Sequence, residues 1–323
     1  MSGDQVFSWR PLESGDAAEW ARLLAAIQAA DQTWDVFTKA DLREFFGDPS
    51  LDFPHGSVAV FDGAIMAGYD VLLPRGAADP VHDMRSVAGV HPGYRRRGIG
   101  AGLLDWAERS AVPVHEQRFG GQPLSLSGSC RTDDAAASAL FERRGYRPAR
   151  WFHAMIRDLT APVAPVPPLA GAEVLPLTPE RFRDALLVRN EAFQDHWGST
   201  ETSAESWAHF LTSRTFRPAS SFVAYDHGEP AGVIISHEYE GAVKAIGARD
   251  LHVAIVGTRR AARKRGLASA LLTRVLADGQ AAGFGTATLG VDADSPTGAV
   301  GVYERAAFTV HHTEVAHIKK LVP

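Results

Sequence analysis

The sequence predicts a mixed α/β (α+β) protein of two similar units, each a central mixed sheet flanked by helices. Three observations predict it. The stretch "YRRRGIGAGLL", Tyr94–Leu104, returns as "ARKRGLASALL", Ala262–Leu272, and both fit R-x-x-G-x-G/A followed by an apolar helical pattern. Arg95, Gly98 and Gly100 stand in the first copy and Arg263, Gly266 and Ala268 in the second, with the arginines 168 residues apart, about one ordinary domain. A proline-rich seam, "LTAPVAPVPPLAGAE" at Leu159–Glu173, separates the copies: Pro162, Pro165, Pro167 and Pro168 remove backbone donors and favour an extended connector. The predicted organisation is a first domain over residues 1–158, a linker over 159–172 and a second domain over 173–323.

The elements follow in the same order in each half. A helical region comes first. Two strands follow: "GSVAVFDGAIMAGYDVLL" folds around an Asp-Gly turn, and "SSFVAYDHGEPAGVIISHEYE" folds around His227, Gly228 and Glu229. A β-branched run, "MRSVAGV" or "LHVAIVGT", then leads into the basic glycine loop. The helix after the second loop carries apolar residues at Leu267, Leu271, Leu272, Val275 and Leu276, a helical period. Another strand and a last helix closed by an aromatic pair complete each half.

Composition narrows the function classes. With 323 residues, 45% apolar and 22% charged, the chain can bury one large core or two medium ones. A formal charge of −5 gives no general attraction to nucleic acid, so none is expected as a partner. No run reaches the roughly 18 apolar residues of a membrane helix, and "MSGDQVFSWRPLESGD" lacks the order of a signal peptide, so the expected location is the cytoplasm, away from membranes. Cys130 is the only cysteine, which excludes an internal disulfide and a cysteine metal site. His311 and His317 in "HHTEVAH" share a strand face but stand roughly 20 Å apart along it, too far for a shared ion, and no metal is expected.

The strand–loop–helix unit suits pyrophosphate. Glycines let backbone amides approach a ligand, the helix N-terminus favours an anion, and Arg95 or Arg263 adds full charge. The G-K-[ST] ending of a P-loop and the three-glycine dinucleotide fingerprint are both absent.

These loops, their strands and the closing segment "VDADSPTGAVGVYERAAF", Val291–Phe308, resemble the GNAT superfamily of acetyl-CoA-dependent N-acetyltransferases in tandem arrangement, with a likeness to the mycothiol synthase family among tandem members. The resemblance implies that acetyl-CoA is the co-substrate, with its pyrophosphate on the arginine/glycine loop and its acetyl and pantetheine groups along a bulged strand. By position those elements are Val256, Gly257 and Thr258 with Arg263, Lys264, Arg265, Gly266, Leu267, Ala268 and Ser269. Their first-half counterparts are Ala88, Gly89 and Val90 with Arg95, Arg96, Arg97, Gly98, Ile99, Gly100 and Ala101.

The resemblance also locates the chemistry. Family members often carry a tyrosine in the last helix, four residues after a small residue, near the sulfur of coenzyme A. Tyr303 follows Ala299 at that spacing, whereas Phe141 follows Ala137. Periodicity alone reads Tyr303 as packing beside Phe308; the family spacing makes it the general acid and the second half the catalytic one. Where several relatives have a glutamate base, this chain has His252, and the first half has Met84. Glu238 and Glu240 are the other base candidates. That departure keeps the family's acceptor from being carried over. The acceptor, a primary amine of a small molecule, is expected against Phe193, His196, Trp197 and Glu238, with Glu191 and Asp195 favouring a cation; an equal alternative packs Phe193 and Trp197 in the core at i and i+4. A monomer or weak homodimer is expected. Two other functions fit the same pattern: a tandem peptidyl transferase using aminoacyl-tRNA, and a non-catalytic acyl-CoA sensor.

Overall fold

The computed structural model describes residues 6–33, 37–78, 80–167, 169 and 171–323, with the Lys244 side chain left out. Pro168 and Ala170 of the expected linker lie outside the described residues. The chain forms two compact units, one running to Ala149 and including Val315–Pro323, the other Arg150–Glu314.

In the first unit the elements are β1 (Ser8–Arg10), α1 (Ala17–Asp31), α2 (Lys39–Phe45), α3 (Phe53–Gly56), β2 (Ser57–Asp62), β3 (Ile65–Ala78), β4 (His82–Val90), α4 (Ile99–Phe119), β5 (Leu124–Arg131) and α5 (Ala135–Arg143). β6 (Arg147–Asp158) begins as that unit ends. The second unit continues with β7 (Ala172–Pro176), α6 (Phe182–Ala192), α7 (Ala204–Thr212), β8 (Phe222–Asp226), β9 (Glu229–His237), α8 (Ala242–Ile246), β10 (Asp250–Thr258), α9 (Leu267–Ala281), β11 (Thr286–Asp292) and α10 (Ala299–Arg305). β12 (Thr309–Val322) closes the chain.

The two units repeat one strand topology. β1 to β4 are antiparallel neighbours and β5 lies parallel to β4; β7 to β10 are antiparallel neighbours and β11 lies parallel to β10. Local chemistry explains the hairpins and helix starts. His227 and Gly228 both take positive φ between β8 and β9, the tight-turn geometry that an X-Gly pair supplies. Thr38 and Asp41 close a reciprocal capping box on α2, and Ser203 accepts the Ser206 amide at the start of α7.

Each unit carries helices on both faces of its strands. In the second unit Leu267, Leu271, Leu272, Val275 and Leu276 of α9 are all buried against Leu251, Val253 and Ile234 of the sheet. At about 1.5–3 kcal/mol for each large apolar side chain removed from water, this stripe fixes α9 on the sheet. The opposite face packs Val233, Ile235 and Ile255 under Ala185 and Val188 of α6 and Trp207 and Leu211 of α7.

The compact units divide at Ala149/Arg150, not at the 158/159 boundary read from the prolines. The cause is strand pairing: Phe152–Asp158 of β6 lies antiparallel along Thr286–Asp292 of β11, so this strand belongs to the second core. The start of the proline-rich stretch is also fastened to that unit, because Gln280 donates to the Leu159 and Ala161 carbonyls and Arg157 donates to the Pro162 carbonyl.

Candidate active site

β10 and β11 run side by side for only three residue pairs, Asp250–Thr286, Leu251–Ala287 and His252–Thr288, and then part. β10 changes register against β9 between Val253 and Ile255, leaving Ala254 as the extra residue of a bulge. The bulge sits two residues before Val256. The parting strands bring Val256, Gly257 and Thr258 to one side of a wedge and Leu289–Asp292 to the other. Among the described residues, a Cβ added at Gly290 would meet nothing within 4 Å, so the β11 wall of this opening is uncovered.

The wedge leads to the second basic loop. Lys264 and Gly266 both have positive φ, 64° and 84°, and the same pair of values recurs at Arg96 and Gly98, 65° and 84°. A short sequence motif has thus imposed one backbone path twice. Gly266 is the N-cap of α9 and gives its first turn no side-chain acceptor, which leaves the Leu267, Ala268 and Ser269 amides without an intrahelical partner. The loop arginine is used differently from expectation. Arg263 donates to Asp195 at 2.7 Å and to the Ala192 and Thr258 carbonyls, so it braces the loop against the end of α6 instead of presenting a bare charge. Arg260 also pairs with Asp195, Arg259 pairs with Glu191 at 2.7 Å, and Arg265 pairs with Asp226. In the first unit Arg95 is held likewise by Asp31 at 2.5 Å.

Tyr303 lies on α10 in the same buried cluster as α9, 7% exposed and edge-on to Phe308 at 6.1 Å. Burial alone pushes its phenol up to about 12, so it keeps its proton at neutral pH. That is the protonation state a general acid needs. The matching Phe141 of the first unit fills its wedge: its ring would lie 2.8 Å from a Cβ on Gly128, and it stacks on His317 at 4.9 Å.

His252 sits at the last pair before the strands part, half-buried on the α6–α7 side, opposite to the cluster that holds Tyr303. Its Nδ1 is 3.1 Å from the Thr288 hydroxyl, and burial lowers it to about 4. It is therefore neutral at pH 7. Of the other base candidates, Glu238 is held by Arg217 and by Arg249, each at 2.8 Å, which hold its carboxyl below the usual range. That carboxylate is already committed to two guanidiniums. Glu240 faces solvent beside Arg214 at 3.3 Å.

The aromatic segment after α6 is close to the wedge. Phe193 is the C-cap of α6, its ring 5.4 Å from His196 and 3.5 Å from where a Cβ on Gly257 would stand. Trp197 meets Phe152 at 6.0 Å. The helix stops before Trp197, so the i, i+4 core packing does not form. The expectation that Glu191 and Asp195 draw a cationic acceptor is corrected, because both carboxylates are paired with Arg259, Arg260 and Arg263. These bracing residues were missed as such. Their signal was available: an aspartate precedes each loop arginine by a similar interval, 64 residues for Asp31–Arg95 and 68 for Asp195–Arg263. Among the described residues no helix is long and apolar enough to cross a membrane, and no group of three or more His, Cys, Asp or Glu side chains is arranged for a metal ion.

Comparison with known proteins places this geometry. Residues 186–308 match the acetyltransferase (GNAT) family model, and residues 54–148 match an acetyltransferase (GNAT) domain model. Proteins named mycothiol acetyltransferase from Nocardia farcinica and Salinispora arenicola are 31% and 32% identical, over 98% of both chains in the first case and over 92% of this chain and 90% of the relative in the second. Among solved structures, a GCN5-related N-acetyltransferase from Sphaerobacter thermophilus superposes with TM-score 0.77 at 26% identity, covering 100% of this chain and 98% of that one. A tandem GNAT protein from the clavulanic acid biosynthesis pathway shares the fold, with TM-score 0.73 at 18% identity over 98% of this chain and 99% of the other. The chain belongs to the GNAT acetyltransferase family, as an N-acetyltransferase with two GNAT domains in tandem.

Proposed function

We propose that the chain transfers an acetyl group from acetyl-CoA to a primary amine of a small molecule, and that the second unit alone performs the chemistry. The observation that carries this reading is the opening between β10 and β11, with Tyr303 on one face of the sheet and His252 on the other. The first unit has neither side chain.

The second unit fits the co-substrate. Among the described residues its loop offers unpartnered amides at Leu267, Ala268 and Ser269 for a pyrophosphate, and the bulge at Ala254 frees strand backbone from the ladder beside Gly290. When bound, acetyl-CoA supplies an acetyl group activated as a thioester. The residues of this chain handle the protons. An ammonium acceptor must lose one before it can attack, and the neutral imidazole of His252 can receive it directly or through water. The amides near Val256–Thr258 can face the oxygen on which charge develops, without reorganisation. Tyr303 keeps a proton on Oη throughout the working pH range and can return it to the departing sulfur. Phe193, His196 and Trp197 border the acceptor side.

The relatives' names put mycothiol chemistry among the acceptors to test, while His252 in the base position argues for a panel. Free thiol released from acetyl-CoA is measured with a series of small primary amines, the mycothiol acceptor among them. Turnover with at least one amine is expected. Bound coenzyme A without turnover on any amine would favour a sensor, and transfer only from aminoacyl-tRNA would favour a peptidyl transferase; either overturns the reading.

A further inference from the structure

The last side-chain pair before β10 and β11 part belongs to a longer chain of contacts. Thr288 donates its hydroxyl proton to Asp250 Oδ2 at 2.5 Å, and Thr286 donates to Asp250 Oδ1 at 2.8 Å. Asp250 and Thr288 are each 4% exposed. A hydroxyl has one proton, and Thr288 has given it to the carboxylate. It therefore faces His252 Nδ1, 3.1 Å away, only as an acceptor. The imidazole must then donate from Nδ1, which leaves the lone pair on Nε2.

We propose that Asp250 and Thr288 are positioning residues that fix His252 in the Nδ1–H tautomer, so that Nε2 is the atom that takes the proton from the acceptor. This rests on the reading of His252 as the base. It goes further by naming the atom and the two residues that select it. The parallel register builds the device: Asp250 lies beside Thr286 and His252 beside Thr288, so one carboxylate serves both threonines and one threonine serves the histidine. In the first unit the rungs on that face pair Asp83 with Ser125 and Arg85 with Ser127, an acid and two hydroxyls again, but with an arginine where the second unit has the histidine.

The groups around the ring are consistent with this assignment. On β9, His237 is the register partner of His252, is 1% exposed and bonds Thr215 at 2.8 Å through its own Nδ1. Tyr239 lies edge-on to His252 at 5.9 Å. Glu238 points into its arginine clamp. No carboxylate other than Asp250, reached through Thr288, is bonded to the His252 site among the described residues, so the tautomer depends on that route. Since burial keeps the imidazole neutral near pH 7, its tautomer is observable directly.

The test uses the full-length protein with ¹⁵N-labelled histidine, reading ring-nitrogen correlations at neutral pH, with the His252→Gln spectrum giving the assignment. Wild type should show the Nδ1–H form of His252. Thr288→Ser should retain it. Thr288→Val, and independently Asp250→Ala, which lets the hydroxyl donate as well as accept, should mix the tautomers. In kinetics, kcat/KM for an accepted amine should fall about 10-fold or more in Thr288→Val, with the acid limb of the pH profile displaced, and recover in Thr288→Ser. An Nε2–H tautomer in wild type, or a wild-type tautomer in both disrupting variants, overturns the proposal. Absence of amine turnover overturns the functional reading instead and leaves the spectroscopic result intact.

Discussion

The two units carry the same loop and end in different sites. Their arginine/glycine motifs take matching φ values, open helices without side-chain caps and hold the leading arginine on an aspartate, at Asp31 and at Asp195. The sheets beside them diverge at one place. In the first unit β4 pairs with β5 over five rungs, ending at Ser86–Gly128, whereas in the second the ladder has three, ending at His252–Thr288. β10 carries Ala254 as an extra, bulged residue that the β3–β4 register of the first unit, continuous over residues 84–90, lacks. Gly290 of β11 faces open space, whereas Gly128 of β5 is covered by Phe141 on the α4 face. Ser86 further ties its strand down by donating to both carboxylate oxygens of the buried Asp70 at 2.9 and 2.8 Å. On the proposed reading, a duplicated motif keeps its loop geometry while the closed wedge beside it leaves no room for the chemistry.

The largest test of that contrast exchanges its aromatic residues. Tyr303→Phe removes the proton donor and keeps the ring against Phe308; turnover should fall by about 10² or more with little change in acetyl-CoA affinity. Phe141→Tyr should restore nothing, because the first wedge stays paired to Gly128. Steady-state kinetics of both single variants decide it. A Tyr303→Phe enzyme with wild-type turnover would make Tyr303 a packing residue and remove the asymmetry.

Next in size are the matched loop glycines. Gly98 and Gly266 share φ = 84°, a region costly for a β-branched side chain, so Gly98→Val and Gly266→Val strain the backbone alike and differ in what the loop holds. Gly266→Val should raise the KM for acetyl-CoA about 10-fold or more, while Gly98→Val should leave most turnover intact. Equal loss from both would mean that the first unit cannot be separated from catalysis. A smaller effect belongs to the braces: these ion pairs are partly exposed and worth up to about 1 kcal/mol, so Asp195→Ala should weaken acetyl-CoA binding about 2–5-fold, and Asp31→Ala should not measurably change turnover. Calorimetric titration separates the two.

Much of this was readable in the sequence, for identifiable reasons. The repeat, the hairpin turns and the apolar stripe of α9 are local patterns, and local patterns dictate local geometry. Tyr303 and Phe141 could be paired because their spacing is fixed within one helix. The domain boundary was not readable, since the prolines mark where the backbone is stiff and not which sheet the preceding strand joins; β6 is placed by its pairing with β11, a contact between distant positions. The fates of Glu191, Asp195 and Glu238 were hidden for the same reason. Each carboxylate meets arginines far away in sequence, and composition cannot distinguish a paired acid from one open to a ligand.

The smallest expected effect concerns acid stability, where the units again differ. Burial lowers His237 to about 3 and His252 to about 4 in the second unit, and His82 to about 4 in the first, against 6.5 for a free histidine. These imidazoles are neutral when folded and gain protons on unfolding, so their contribution is complete above pH 6.5 and is lost as pH falls below it, at up to about 1.4 kcal/mol per pH unit for each. Buried acids act in the opposite sense. Asp70 is pushed up to about 7 by burial, so between pH 7 and 4 the folded state holds a proton the unfolded chain lacks, and acidification favours the fold. Asp83 in the first unit and Asp250 in the second are also raised by burial, and His317 in the first is lowered by it. The first unit therefore sets two raised acids against two lowered histidines, and the second sets one acid against two. Hydrogen exchange read by mass spectrometry between pH 6.5 and 4.5 should show peptides of β9 and β10 losing protection before those of β3 and β4. Asp70→Asn removes the largest offset in the first unit and should narrow that gap; earlier loss of β3 and β4 in the wild-type chain would show that buried histidines do not set the acid sensitivity of the second unit.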